Sequence, residues 1–497
     1  MTLRLDSEPV GTNPAQASAS GVRWNLAEFY PAPDAPELTR DIALARSLAD
    51  AWKSRWMGRM EALSPSEAGE MLDSYEALTL VQWRLFNYSS LFYAADARNP
   101  VATSLQAQVR ELGSELEAGL SFFSVEISAL PQETVDSWWS DPRALRLRRL
   151  VAEICKYRDH ILSEPEERMA SRKDLTGKAA LVQLFDDLTN SLTFPFDDGS
   201  GLRDHTGAEM LAYSRHPSPE MRRKAHEAYL AVYEKNGLVL AHVFNSLCLD
   251  HQTDCEMRGY TAPMSRTHMG NSLPDAVVES MMRVTHENYG VAQRFWRAKA
   301  RLLGMDTLAN TDLYAPLTET DKKYDWNEAL DAVHAAYRSF SPELETLAAK
   351  FSQHGWIDAE VRPGKEDGAF CSGTQPDHHP YVLMNYTGNL RDVFTLAHEL
   401  GHGVHAALAI PRGIFEQHTP LTVCETASVF GEALTFRRLL ADTDSPMSRL
   451  SLLASNLEDT IATVFRQTAM NRFEEAVHTS RRQEGELSVE RFGDLWT

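Results

Sequence analysis

From Ala35 to Gln132 the apolar residues return every three or four positions. Leu85, Tyr88 and Phe92, with Ser89 on the same stripe, show the spacing. This predicts long amphipathic helices, interrupted at Ser64-Pro65, Asn99-Pro100 and Leu130-Pro131. Ser163 with Glu166 three residues on reads as a capping box opening another helix. The helical pattern then fills roughly 219–258, 275–303, 325–354 and 446–482, and a last short segment places Phe492, Leu495 and Trp496 on one face. Only three short runs, 356–361, 368–372 and 381–386, read as strands. The predicted fold class is therefore mainly α, with a small β-sheet immediately before a helix that begins near Phe394. The turn-rich stretch Asp197–Leu202 sets a domain boundary. It separates an N-terminal helical domain, 21–200, from a second domain, 201–497. Residues 1–20, rich in Ser, Ala, Thr and Pro, read as a disordered leader.

At 497 residues the chain exceeds one ordinary hydrophobic core, which predicts two lobes. Its net charge of −21 argues against nucleic acid as a partner and disfavours anionic membranes. No run approaches the roughly 18 continuous apolar residues of a membrane span, and the first 21 residues lack a signal-peptide core. The cysteines are five, an odd number, and none are spaced C-x-x-C. This indicates neither a disulfide framework nor a thiolate metal site, and predicts a reducing, cytoplasmic setting.

The chemistry concentrates in Ala397-His398-Glu399-Leu400-Gly401-His402. On a helix, His398 and His402 project from one face a turn apart, so two imidazoles can meet at one metal ion. Glu399, about 100° round from His398, can hold a water there without binding the ion. A catalytic zinc takes three protein ligands and leaves a position open. The extended motif with a further histidine fails, because Leu408 stands where that histidine would be. His405 is near the same face but lies roughly 10 Å of rise beyond His398, too far for one ion to sit easily beside all three rings. The third possibility is a group on a following helix. Pro411 and Gly413 end the first helix, and Thr419-Pro420 reads as a cap and first residue of the next, which runs to about Leu440. That helix carries Glu425, Ser428 and Glu432 on one face, so one of these groups can face the two histidines. Gly401-x-Gly403-x-x-Ala406 mimics a dinucleotide fingerprint, but it lies inside a helix rather than after a strand.

Val423-Cys424-Glu425-Thr426-Ala427-Ser428, placed twenty-three residues after His402, resembles the E-x-x-S element of the oligoendopeptidase F and thimet oligopeptidase group, peptidase family M3. The segment from Tyr381 through His402 is similar to the oligoendopeptidase F version, and the likeness runs from about Trp24 to the last residue. The resemblance implies a two-lobed helical zincin-like metallopeptidase with a deep channel between lobes. It implies one Zn2+ per chain, with Glu425 joining His398 and His402 as ligands, and Glu399 as the catalytic acid–base. It implies that Ser428 and Glu432 orient ligands, with His405 as a further neighbour of the metal or substrate. It also implies that an extended segment including Tyr381, Asn385, Tyr386 and Gly388 binds the substrate backbone. The implied reaction is hydrolysis of internal bonds in short unstructured peptides, a zinc metalloendopeptidase activity. Family members continue past the position of Thr497 with substrate-contacting His and Tyr residues, which raises the alternative of a catalytically impaired, metal-bearing peptide-binding scaffold truncated at its C-terminal end. A third reading, since related enzymes act so, is an exopeptidase that removes C-terminal dipeptides.

Overall fold

The computed structural model describes residues 19–318 and 322–497, and residues 1–18 of the expected leader lie outside them. The described chain is mostly helical and packs as two compact units. Among the described residues, the first combines 19–158 with 322–442, and the second combines 159–318 with 443–497. This differs from the division at residue 200, because the packing follows burial rather than chain order. The Asp197–Leu202 turn expected at the boundary instead joins two paired strands within the second unit.

In the first unit, helices Pro36–Trp56, Pro65–Ala95 and Pro100–Leu120 begin where the sequence has proline. Ser64 and Asn99 cap the second and third, accepting from the backbone N–H groups of Glu67 and Val101. The expected helix over 325–354 is two, Trp326–Phe340 and Pro342–Gln353, since Ser341 caps the second and Pro342 cannot continue the first. The second unit holds the hairpin of β1 (Phe194–Asp197) and β2 (Leu202–His205), in antiparallel register from Phe194 opposite His205 to Asp197 opposite Leu202. Its predicted long helices are also divided, at Asn236 and at Asn288. Two buried ion pairs, Arg222–Asp312 and Lys299–Glu458, tie its helices together. Each charge is paired because an isolated one could not be buried.

The sheet that positions the site belongs to the first unit. It consists of β3 (Ile357–Asp358), β4 (Phe370–Ser372) and β5 (Tyr381–Leu383), in the order β3-β5-β4. Strand β5 runs parallel to β3 and antiparallel to β4. Its side chains alternate between two cores. Val382 joins a cluster with Tyr337, Phe351, Leu396 and Leu400, whereas Tyr381 and Leu383 join another with Trp24, Phe29 and Tyr88. The N-terminal helices therefore cover one face of the sheet, and the helix Leu390–Ala409 packs on this sheet as well.

That helix carries the histidines and is called the histidine helix. Asn389 caps it, accepting from the Asp392 N–H at 3.1 Å, and the Asp392 carboxylate reaches back to the Asn389 N–H at 3.3 Å. It ends at Ala409, a 3-10 turn follows over Ile410–Arg412, and Gly413 turns the chain at φ +87. The next helix, Leu421–Ala441, is the glutamate helix. Pro420 itself is its cap and Thr419 makes no capping hydrogen bond, a one-residue shift from the expectation.

The two helices approach to backbone contact because the facing positions are glycines. A Cβ at Gly401 would lie 2.6 Å from the Ala427 carbonyl oxygen and 2.7 Å from the Ser428 Cα, and one at Gly431 would meet the Tyr337 hydroxyl and, at 2.8 Å, the Ala397 carbonyl oxygen. Gly401→Ala is expected to destabilise the protein by about 1–3 kcal/mol, the usual cost of overpacking a rigid contact, because the atoms it meets are backbone. Urea unfolding midpoints measure this, and an unchanged midpoint would mean that the helices can separate freely.

Candidate metal centre and active site

The close helix crossing brings three ligand atoms together. His398 Nε2 and His402 Nε2 are 3.1 Å apart, and Glu425 Oε2 lies 3.2 Å from the first and 3.4 Å from the second. The rings stand nearly perpendicular, at 82°. Donors about 2.0–2.1 Å from a tetrahedral ion are about 3.4 Å from one another, so this triangle fits a zinc-sized cation. The donor set also fits, since two imidazoles and one carboxylate leave a fourth position open. Among the described residues this is the one cluster of His, Cys, Asp or Glu side chains with such convergence.

The surrounding residues fix each member of the triangle. Glu432 Oε1 sits 2.5 Å from His398 Nδ1. It accepts the Nδ1 proton and leaves the Nε2 lone pair facing the triangle. The His402 ring hydrogen-bonds to the Cys424 backbone. Ser428, fully buried, donates its hydroxyl to Glu425 Oε2 at 2.7 Å. Tyr337 donates to the Ala397 carbonyl at 2.5 Å, one residue before His398, and so braces the histidine helix from behind. His405 is on the same helix but is not one of the converging side chains.

Glu399 is on the buried side of the histidine helix, 5% exposed, and its Oε2 has no hydrogen-bond partner. Burial pushes its carboxyl up to about 7, with Glu425 and Glu432 adding to the rise and His398 opposing it. Burial lowers the His398 pKa, but hydrogen bonding to Glu432 and the charges of Glu399, Glu432 and Glu425 outweigh it, so the net shift is upward. Burial, and then the neighbouring His398, shift His402 downward. A buried acceptor without a partner is costly in an ordinary core, and here it lies beside a place where a cation and its water can stand.

The residues expected to bind substrate are placed differently. Strand β5, Tyr381–Leu383, is paired on both edges and buried on both faces, so its own backbone groups are already engaged within the sheet. The Tyr381 hydroxyl donates to the Asn25 carbonyl and that of Tyr386 to the Tyr324 carbonyl, both side chains being fully buried. Asn385 Nδ2 holds the loop before β4 through the carbonyls of Glu366 and Gly368. Gly388 makes a turn at φ +84, where a Cβ would press on the Tyr324 carbonyl at 3.0 Å. The free edge beside the histidine helix is that of β4. Burial, and next the Glu399 carboxylate, push the Cys371 thiol of β4 up, and β4 packs against the histidine helix. The apolar run of β5 marks a strand covered on both faces. β4, as short as β5 and lying between Gly368 and Gly373, is less apolar.

Residues 212–497 match the model of Peptidase family M3, and residues 126–194 match that of Oligopeptidase F. The chain is 26% identical to Oligopeptidase PepF of Bacillus subtilis over 462 residues, covering 88% of this chain and 68% of the relative. It is 22% identical to an oligoendopeptidase F homolog of Lactococcus lactis, covering 89% of this chain and 76% of that one. The fold is similar to the crystal structure of oligoendopeptidase-F from Enterococcus faecium, with a TM-score of 0.66, 20% identity, and coverage of 92% of this chain and 79% of the other. The family model spans more than half of the residues and includes His398, Glu399, His402 and Glu425; the chain belongs to peptidase family M3, a family of metallopeptidases.

Proposed function

We propose that this chain is a zinc-dependent oligoendopeptidase that cuts internal bonds of short, unstructured peptides in the cytoplasm. The observation that carries the reading is the triangle of His398, His402 and Glu425, closed to 3.1–3.4 Å, with the partnerless carboxylate oxygen of Glu399 nearby. Zinc, when bound by those three residues, supplies a Lewis acid that acidifies a water and polarises the scissile carbonyl. Glu399 accepts the proton of the attacking water and delivers it to the leaving amine, the usual work of a general acid–base. Glu432 and Ser428 keep His398 and Glu425 in the orientation that ligation needs. The free edge of β4 offers main-chain donors and acceptors to an extended peptide, which tolerates varied side chains. The cytoplasmic assignment rests on five cysteines that are all free; no helix among the described residues is long and apolar enough to cross a membrane.

A quenched fluorescent decapeptide tests the reading. The metal-loaded protein is expected to cut it at an internal bond, to lose that activity with 1,10-phenanthroline, and to regain it with Zn2+. Product masses decide between classes: release of C-terminal dipeptides makes the protein an exopeptidase, and binding of the peptide without cleavage makes it a scaffold.

A further inference from the structure

Beyond Ser372 the chain leaves the free-edge strand through Gly373 and Thr374, and this end carries a group of aromatic rings. Trp83 and His418 stack with centroids 4.7 Å apart and planes 24° from parallel. Phe86 meets Trp83 edge-on at 6.3 Å and is 50% exposed. Gly373 presents its bare Cα to this stack, since a Cβ there would lie 3.8 Å from His418 Cε1. The stack is held in place. Gln417, buried, donates one amide hydrogen to the Thr374 carbonyl and lies 3.3 Å from His418 Nε2, in position to donate the other. A single side chain thus ties the strand end to the imidazole. His418 itself is exposed.

A peptide laid along β4 passes this group. Cys371 packs against the core that Leu396, Ala397 and Leu400 of the histidine helix help to form, which sets it at the level of the reacting bond, and Gly373 is two residues further along. That is about 7 Å in an extended strand. Side chains two positions apart on an extended peptide share a face, so one substrate side chain, two residues from the cleaved bond, is directed at the rings while the reacting carbonyl is at the metal triangle. We propose that Trp83 and His418 form a specificity subsite that selects an aromatic side chain of the peptide at that position. The proposal rests on the peptidase reading above. Flat ring faces and edges favour another ring, through stacked or edge-on contact. Desolvation lowers the pKa of His418, so its imidazole offers a neutral ring, and the stack carries no carboxylate to pair with lysine or arginine.

The test uses the full metal-loaded chain and a set of quenched fluorescent peptides in an alanine background. One residue, Phe, Leu, Lys or Ala, is scanned across the three positions on each side of the cleaved bond. The wild type is expected to prefer Phe over Ala by about tenfold in kcat/KM at one position two residues from the cut, the range a single apolar pocket supplies. Trp83→Ala and His418→Ala are each expected to bring that ratio close to one and to leave the rate on the all-alanine peptide within about twofold of wild type. Trp83→Leu, which keeps more of the volume, guards against a folding defect and is expected to lose the preference for Phe over Leu. Variants that keep the wild-type ratio, a wild type with no positional preference, or a preference for Lys would each overturn the subsite. If the wild type cleaves no peptide in the set, the peptidase reading itself fails, and the subsite with it.

Discussion

Glu399→Gln is expected to retain metal and to lose about two to four orders of magnitude in kcat, the share of a rate that a positioned acid–base supplies. The two requirements are separable because Glu399 is outside the ligand triangle. His398 is held by Glu432, Glu425 by Ser428 and His402 by the Cys424 backbone, and none of these contacts involves Glu399. Glutamine matches glutamate in shape, so the packing of a residue only 5% exposed is preserved. What is lost is the ability to take a proton from water. The unpartnered Oε2 leaves no hydrogen bond in the resting protein for the substitution to break, and removing a buried carboxylate removes a desolvation cost. The unfolding midpoint is therefore expected to stay level or rise while turnover collapses. Metal content by mass spectrometry, an unfolding curve and kcat on one fluorescent peptide check the three statements. A near-normal rate would take Glu399 out of the proton path, and loss of metal would make it part of the ligand set.

The two histidines were legible in the sequence because their relation is local: four residues on a helix fix a common face whatever the rest of the chain does. The histidine helix and the glutamate helix were legible for similar reasons, through proline, glycine and a three-to-four-residue period. The distance between those helices was not. It depends on Gly401 and Gly431 meeting Ala427 and Ala397 across the interface, and no periodicity announces which glycine faces which carbonyl. Glu425, Ser428 and Glu432 shared a face in the sequence, but only the crossing assigns them different neighbours, the triangle for Glu425, its carboxylate for Ser428 and the His398 ring for Glu432. The order of the sheet was hidden for a related reason. Strand runs can be found by composition, whereas strand order is a long-range property. The order β3-β5-β4 puts the most apolar run in the centre and leaves the open edge to Phe370–Ser372. The division into units was hidden in the same way, because Trp24, Phe29 and Tyr88 close the core behind Tyr381, more than 290 residues further along the chain.

Glu425→Ala is expected to weaken metal binding by more than about 100-fold, and with it to abolish turnover. Loss of a residue that only orients a ligand costs about 10–100-fold in affinity, so removal of a direct ligand should exceed that range. Ser428→Ala and Glu432→Gln supply the comparison, and each is expected to fall within it. Ser428→Ala leaves Glu425 Oε2 without its 2.7 Å donor, and Glu432→Gln replaces the carboxylate that holds the His398 ring at 2.5 Å. The Glu425 side chain is 59% exposed and stands on the outer side of the crossing, so its removal opens no core cavity. The unfolding midpoint of the metal-free protein is therefore expected to change little, which separates loss of a ligand from loss of fold. Competition with a chromophoric chelator measures all three affinities on one scale. If Glu425→Ala binds metal as tightly as Ser428→Ala, the third ligand is some other group.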